Sequence, residues 1–233
     1  MVSCGESANI SPPISRTIVF NFKKVFDRYP GLTKLIISVP ENKLSLYRRK
    51  EGYIIVRAFV AIDLSPGIRE KMHEVQEAIR QSRARLNLVD PSIIHITIKF
   101  LGEIEATQVG KVSEALMKIR LEPFDLSITG ISTNNNRNPR VIWGTVGDQG
   151  ECKALFEQVE AVLASMQFPR EQRGFTPHAT IARIKEYDPS LMQSIRPFIS
   201  KTLGECHITG FNLKKSTLTP AGPVYDNIME VTW

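Results

Sequence analysis

The chain has 233 residues and a formal net charge of +6, and 42% of its residues are hydrophobic and 23% charged. These values are ordinary for a globular protein and exclude collagen-like, coiled-coil and wholly disordered chains. No apolar run approaches the roughly 20 residues of a membrane-spanning helix, and three cysteines without a CxxC pair argue against a disulfide framework or zinc ribbon and favour the reducing cytoplasm.

The positive charge lies mainly in the first 55 residues. This segment contains nine lysines or arginines and four acidic residues, so its net charge is +5, and residues 56–233 carry only +1. The segment lacks the basic start and apolar core of a secretory signal, and we expect an N-terminal extension that packs poorly. In the main body, a contact with RNA would have to depend on a local site.

Strand and helix patterns follow one another regularly from residue 57 onward. Ser65 and Pro66 form a typical helix start, and apolar residues then recur at helical spacing up to Ile79. The same spacing predicts helices around 109–119 and 155–166, and a short helix at 190–199. Strands are predicted at 57–64, 93–101, 124–132, 140–146, 176–184, 207–217 and 224–231. This mixed order favours an α+β fold with antiparallel sheets over a doubly wound parallel sheet.

Two of the predicted strands contain the same motif. HITI at 95–98 and HATI at 178–181 begin 83 residues apart, which is about half of the main body. Because side chains two residues apart on a strand point to the same face, each histidine shares a face with its threonine. A pseudo-two-fold arrangement of two half-domains would bring both His-Thr pairs to one cleft.

Such a cleft suits general acid–base catalysis at phosphorus. One imidazole would take a proton from an attacking water or hydroxyl, and the other would give a proton to the leaving oxygen. The free pKa of histidine, roughly 6.5, makes both forms available near neutrality. The hydroxyls of Thr97 and Thr180 could donate hydrogen bonds to phosphate oxygens and hold the phosphorus between the imidazoles.

The His-x-Thr pattern is short, and a third copy begins at His207. Gly210 follows it in place of an aliphatic residue, and only 29 residues separate His207 from His178, too few for another half-domain. We therefore expect His207 to be structural, and His73, on a predicted helix, to lie at the surface. The candidate catalytic pair is His95 and His178.

Longer stretches around the motifs carry a resemblance to a known family. RAFVAI at 57–62, HITIKFLGE at 95–103 and FTPHATIAR at 175–183, with Gly222 and Tyr225 near the end, resemble the RNA 2′,3′-cyclic phosphodiesterase family, also called 2′-5′ RNA ligase, in the two-histidine phosphoesterase superfamily. The resemblance covers residues 56–233. It implies a bilobal fold in which two antiparallel sheets with flanking helices, related by a pseudo-two-fold axis, surround a central cleft. It also implies hydrolysis of RNA 2′,3′-cyclic phosphate ends to 2′-phosphates.

The resemblance further implies roles for individual residues. The histidine of the first motif is usually the proton donor in this family and that of the second the proton acceptor, which points to His95 and His178, respectively. Thr97 and Thr180 are implied to bind substrate. Arg183 matches an arginine that follows the second motif, but its offset of five from His178 puts it on the wrong face of a regular strand, so a bulge would be needed.

Three residues near the motifs are weaker candidates. Strict alternation places Lys99 on the face of His95, where it could support a phosphate. Phe100 and Phe175 could stack a base, although we expect them to pack in the core.

Other functions stay open on the sequence. Ligation, if it occurs, would be independent of ATP because the GxxxxGK[ST] loop is absent. A second function is a non-catalytic RNA-binding module on the same scaffold. Metal-dependent hydrolysis would need about three protein ligands, and the two motif histidines have no convincing third. We expect a monomer that uses no cofactor or metal ion and acts on RNA with 2′,3′-cyclic phosphate ends, with tRNA fragments among the candidates, away from membranes.

The N-terminal segment allows two interpretations. Family-like sequence begins at Arg57, and relatives commonly open with Met followed by Arg. Val56 stands in the place of that Met, and the valine codon GUG is also a prokaryotic start codon. Residues 1–55 are therefore either an artefact of start-site choice or a basic arm that feeds RNA to the cleft.

Overall fold

A computed structural model describes residues 48–50, 53–135, 137–220 and 222–233. The chain divides into two units, 1–48 and 49–233, and the motifs belong to the second. The predicted N-terminal extension lies almost wholly outside the described residues. Within the described ranges, no helix is long and apolar enough to cross a membrane.

The described residues form ten strands and four α-helices. The strands are β1 (Arg48–Lys50), β2 (Tyr53–Asp63), β3 (Arg85–Leu88), β4 (His95–Glu105), β5 (Phe124–Thr133), β6 (Val141–Gly147), β7 (His178–Glu186), β8 (Gly204–Ile208), β9 (Gly210–Thr219) and β10 (Gly222–Thr232). The helices are α1 (Pro66–Arg80), α2 (Ala106–Leu116), α3 (Glu151–Ala164) and α4 (Ser190–Ile195), and 3₁₀ turns lie at Pro91–Ile93 and Arg196–Phe198.

The main path of the ten-stranded sheet consists of two four-stranded halves, and off this path β1 pairs with β2 and β3 with β7. The strand order is β10-β9-β2-β4-β7-β6-β5-β8, and the pairings along this path are antiparallel. The halves meet through one residue pair, Ile96 of β4 and Ala179 of β7. Beyond this pair β3 takes the place of β4 beside β7. The predicted α+β class with antiparallel halves is confirmed, and the two sheets are joined by that single pair.

The two central strands have the same local structure. Over nine residues, β4 from His95 and β7 from His178 have identical patterns of burial. Each strand also has one residue more than its neighbour at the same point, Ile98 opposite β2 and Ile181 opposite β6. These bulges reverse the alternation of side chains after each motif. The repeat seen in the sequence is therefore a structural repeat.

The helices cover the buried face of the sheet with the apolar residues that the periodicity predicted. Ser65 caps α1, since its hydroxyl accepts a hydrogen bond from the backbone N–H of Ile68 at 3.4 Å. In α3, Leu163 is buried, whereas the predicted Val162 is only partly buried. The buried apolar residues of α1 and α2 are Ile68, Met72, Val75, Ile79, Val109, Val112 and Leu116.

One predicted strand is wrong, because residues 207–217 belong to two strands. β8 ends at Ile208 and β9 begins at Gly210, and the two lie in opposite halves of the sheet. A Cβ at Gly210 would lie 2.0 Å from the backbone oxygen of Val231, so the close approach of β10 requires glycine there. Strand-forming residues continue on both sides of this break, so the sequence pattern does not reveal it. The short edge strand β3 was also not predicted.

Candidate active site

The two histidines lie side by side at the centre of the sheet. His95 and His178 are the first residues of β4 and β7, and each precedes one member of the pair Ile96–Ala179. Because that pair points into the core, both histidines lie on the opposite face, which we call the site face. The antiparallel register directs His95 towards Thr180 and His178 towards Thr97. All four side chains are therefore brought together.

The His95 ring is held on both nitrogens. Nδ1 lies 2.7 Å from the backbone oxygen of Ile93, and Nε2 lies 3.0 Å from Oγ1 of Thr97. A carbonyl oxygen can only accept, so Nδ1 donates, and Nε2 of the neutral ring accepts from the threonine hydroxyl. The ring packs against Phe59 and Tyr225, with centroid distances of 5.0 and 5.3 Å. The hydrogen bonds fix the tautomer of the imidazole, and together with the packing of the two rings they fix its orientation.

The environment of His95 favours its neutral form. Burial lowers the pKa of His95, the hydrogen bond to Ile93 raises it, and the positive charge of Lys214 lowers it further. Asp63 raises this pKa and Arg69 lowers it, both by smaller amounts. At neutral pH, Nε2 of the free protein is consequently an acceptor for most of the time.

A partly buried group of polar side chains lies beside His95, and sequence reasoning missed it. Asp63, which pairs with His95 across β2 and β4, accepts hydrogen bonds from Arg69 at 3.2 Å and Asn212 at 2.9 Å. Its second oxygen also lies 2.8 Å from Nζ of Lys214. Asn212 and Lys214, at alternate positions of β9 on either side of buried Leu213, are the one sequence signal that could have revealed it.

His178 is anchored in the same way but is less enclosed. Its Nδ1 lies 2.8 Å from the backbone oxygen of Thr176, two residues earlier, as in the first motif. Its ring packs against Trp143 at a centroid distance of 4.8 Å. The two histidines therefore share their backbone anchor and differ in what surrounds the ring.

The bulges decide which of the flanking residues reach the site face. In β7 the extra residue Ile181 brings exposed Arg183 to the face of His178, which is the bulge that the sequence required. Arg183 also lies close enough to Tyr225 to affect its pKa. Burial raises the pKa of Tyr225, and the positive charges of Arg183 and Arg57 lower it. Arg183 is therefore near both motifs.

The expectation for Lys99 is wrong, because the bulge at Ile98 turns this side chain away from His95. Its ammonium group is buried, pairs with Glu160 of α3 and donates to the backbone oxygen of Pro169 at 2.9 Å. Lys99 thus ties α3 and the segment after it to β4.

The aromatic candidates separate in the structure. Phe100, at the position equivalent to Arg183, is 68% exposed, so the expected core packing is wrong for it; its ring lies 6.0 Å from that of Phe59. Phe175 is partly buried and stacks on Phe156 at a centroid distance of 4.5 Å.

The other two histidines lie elsewhere. His207 is in the outermost strand β8, and its Nδ1 lies 2.8 Å from a carboxylate oxygen of Asp125. His73 is exposed on α1. Within the described ranges, no three His, Cys, Asp or Glu side chains group as a metal site would require.

The fold and the site together define a class of protein. His-x-Thr motifs begin the two central strands of a pseudo-symmetric antiparallel sheet, and each presents an imidazole and a hydroxyl on the same face. This is the arrangement expected of a two-histidine phosphoesterase.

Comparison with known proteins gives the family. The model of the LigT-like phosphoesterase family matches residues 62–143 and 146–225. Each stretch contains one motif: His95 lies 33 positions after the start of the first, and His178 lies 32 positions after the start of the second. The chain belongs to the LigT-like phosphoesterase family, which confirms the resemblance found in the sequence.

Individual relatives agree with this assignment. An RNA 2′,3′-cyclic phosphodiesterase of Archaeoglobus fulgidus is 33% identical over 174 residues, which cover 74% of this chain and 98% of that protein. One from Aeropyrum pernix is 32% identical, with 69% and 94% covered. The crystal structure of TT0787 from Thermus thermophilus superposes with a TM-score of 0.65 and 27% identity, covering 76% of this chain and 97% of that one.

Proposed function

We propose that this protein hydrolyses the 2′,3′-cyclic phosphate ends of RNA to 2′-phosphates, with His95 and His178 as acid and base. The observation that carries the proposal is the pairing of Ile96 with Ala179, which sets the two His-Thr pairs next to each other on one face. The names of the relatives support this substrate class. The alternative is a module on the same scaffold that binds such RNA without converting it.

The proposed reaction is an in-line displacement at phosphorus. Nε2 of His178 takes a proton from water as the water oxygen bonds to phosphorus. The bond from phosphorus to the ribose 3′ oxygen breaks, and His95 gives that oxygen its proton, so that the phosphate stays on the 2′ oxygen. Each proton transfer would contribute roughly 10²–10⁴ in rate. If a 5′-hydroxyl replaces water, the product is a 2′-5′ linkage, made without ATP because the strained ester supplies the energy.

Three further residues would bind the phosphate. The hydroxyls of Thr97 and Thr180 lie on the site face. That of Thr180 can donate to a non-bridging oxygen, and that of Thr97, which donates to Nε2 of the neutral His95 ring, would be released to do the same once the ring is protonated. The guanidinium of Arg183 reaches the same face and would offset the charge that develops on these oxygens. Phe100 offers an exposed aromatic surface on which a base of the RNA could stack.

The donor role of His95 requires a bound anion. Burial and Lys214 lower the pKa of His95 in the free protein, so a neutral ring predominates at neutral pH. A phosphate placed beside the ring would favour the imidazolium. Because its surroundings still disfavour the charge, that imidazolium would be a readier proton donor than a histidine in water.

A single assay tests the proposal. Purified protein is incubated with an oligonucleotide that ends in a 2′,3′-cyclic phosphate, and the product is examined by mass spectrometry. Addition of one water, in a product that resists a 3′-specific phosphatase, supports hydrolysis to the 2′-phosphate. Unchanged oligonucleotide that nevertheless binds the protein would favour the RNA-binding module.

A further inference from the structure

A group of five polar side chains, which we call the Asp63 cluster, lies against His95 and is not explained by substrate binding. It comes from β2, α1, β9 and β10, and its members contact one another through hydrogen bonds. The members are Asp63, Arg69, Asn212, Lys214 and Asn227. Asn212 and Lys214 are only 7% and 8% exposed, Asp63 and Arg69 are partly buried, and Asn227 closes the cluster on its exposed side. A buried polar group of this kind is costly unless its members satisfy one another.

The cluster has more positive than negative charge. Asp63 is the one carboxylate among the five, and it faces two cations, Arg69 at 3.2 Å and Lys214 at 2.8 Å. Asn227 accepts a further hydrogen bond from Lys214 at 2.7 Å, and its amide donates to Asn212 at 3.2 Å. These contacts fix the position of Lys214. With two cations and one carboxylate, the cluster has a net charge of +1.

This net positive charge lies beside His95. Asp63 is the strand partner of His95, and Arg69 donates to the backbone oxygen of Ile94 at 3.2 Å, between His95 and its own anchor at Ile93. The polar or charged groups next to the ring are Asp63 from β2, Arg69 from α1, Lys214 from β9, Tyr225 from β10, Thr97 on its own strand, and Thr180 and His178 on β7, with Arg183 of β7 beyond Tyr225. Among the fixed charges in this set, the cations outnumber the carboxylate.

We propose that Lys214 is a positioning residue that keeps a positive charge beside His95, so that His95 gains its second proton only when an anionic phosphate is bound. Substrate binding is then accompanied by uptake of one proton from solvent. That proton passes to the leaving 3′ oxygen, which returns His95 to its neutral form, and the proton that His178 took from water returns to solvent as product leaves. The catalytic meaning rests on the proposed function, but the coupling between anion and proton does not.

The first test measures the protonation of His95 directly. The pH titration of its ring proton is followed by NMR in the free protein and in two variants with opposite expected signs. Lys214→Met removes a cation and should move the midpoint of His95 upward. Asp63→Asn removes the anion, keeps a hydrogen-bonding side chain and should move the midpoint downward. A purely structural role would not give opposite shifts.

Two controls make the test specific. Lys215→Met makes the same substitution at the next residue of β9, whose side chain points to the other face and pairs with Asp226 at 3.1 Å; it should leave the midpoint of His95 unchanged. Lys214→Arg keeps the charge and should stay near wild type. If Lys214→Met leaves the midpoint of His95 unchanged or lowers it, the proposal is overturned. Should the methionine variant not fold, the proposal is decided by Asp63→Asn, which should lower the midpoint, and by Lys214→Arg, which should leave it near wild type.

The second test uses sulfate, an anion that does not titrate in this range. If one proton is taken up per anion, sulfate affinity should fall about tenfold for each pH unit above the midpoint of His95. In Lys214→Met this dependence should begin at a higher pH, because the midpoint of His95 moves upward, and in His95→Gln it should vanish. A dependence that persists unchanged in both variants overturns the proposal. Because neither test measures turnover, a protein inactive on cyclic phosphates would refute the proposed function and leave this result standing.

Discussion

Removal of either histidine of the proposed catalytic pair should reduce turnover far more than removal of the third His-x-Thr histidine. We predict that His95→Ala and His178→Ala each lower kcat/KM for a cyclic-phosphate oligonucleotide by roughly 10²–10⁴, which corresponds to about 2.7–5.4 kcal/mol of activation free energy. His95 should lie at the upper end, because Phe59 and Tyr225 enclose its ring and limit replacement by water. His178, which is less enclosed, should lie at the lower end.

His207→Ala is the matched control, since it removes the same residue from the same tripeptide pattern. Its ring pairs with Asp125 at the edge of the sheet, so turnover should equal that of wild type. Initial rates on a fluorescently labelled oligonucleotide, with circular dichroism to verify the fold, provide the measurement. Activity that survives His178→Ala but is abolished by His207→Ala would refute the choice of pair.

The remaining predictions concern charge and protonation. Turnover should survive exhaustive EDTA treatment and show a bell-shaped pH profile, because one imidazole must be neutral and the other charged; activity lost to EDTA and restored by Zn²⁺ or Mn²⁺ would contradict this. Arg183→Ala should lower kcat/KM by about 10–100-fold, as expected for loss of a charge-assisted hydrogen bond, whereas Lys185→Ala on the same strand should change it little; equal effects would argue against a specific contact. Lys99→Met should lower the free energy of unfolding by roughly 3–5 kcal/mol, because it leaves Glu160 buried without its partner. The control in urea unfolding is Lys71→Met, which removes one member of the exposed pair Lys71–Glu74 and should resemble wild type. Equal losses in the two variants would contradict the argument. Burial lowers the pKa of His95 in the folded protein, so below about pH 6.5 the unfolded chain binds more protons and the free energy of unfolding decreases as the pH is lowered. In urea unfolding at decreasing pH, His95→Gln should lack this part of the loss. Identical curves for the variant and wild type would contradict the argument.

The long periodic segments and the repeat were predictable from the sequence. Apolar spacing located the buried faces of α1 and α2, and the two HxTx motifs located the centre of the sheet. These features depend on residues close together in the chain, for which the period of the pattern is a direct consequence of the local geometry. The connection from Ile208 to Gly210 shows the limit, since a strand-forming run can cross a break that only the packing of β10 requires.

The bulges could not be predicted, although they determine the chemistry of the flanking residues. Ile98 and Ile181 are ordinary strand residues, and nothing in their identity marks them as extra relative to a neighbouring strand. Yet they bury Lys99 and expose Phe100 in β4, and they bring Arg183 to the site face in β7. A role assigned by strict alternation is therefore reliable only up to the first bulge.

The Asp63 cluster was missed for another reason: it joins residues of β2 and α1 to residues of β9 and β10, and Asp63 and Asn212 are 149 positions apart in the chain. It also bears on the different roles that we propose for two identical motifs. Both histidines have the same backbone anchor through Nδ1, so the anchor cannot distinguish acid from base. The difference must come from their surroundings, which are enclosed and positively charged at His95 and open beside Trp143 at His178. Internal symmetry thus supplies two equivalent imidazoles, and the strands that pack against them set the proton affinity of each.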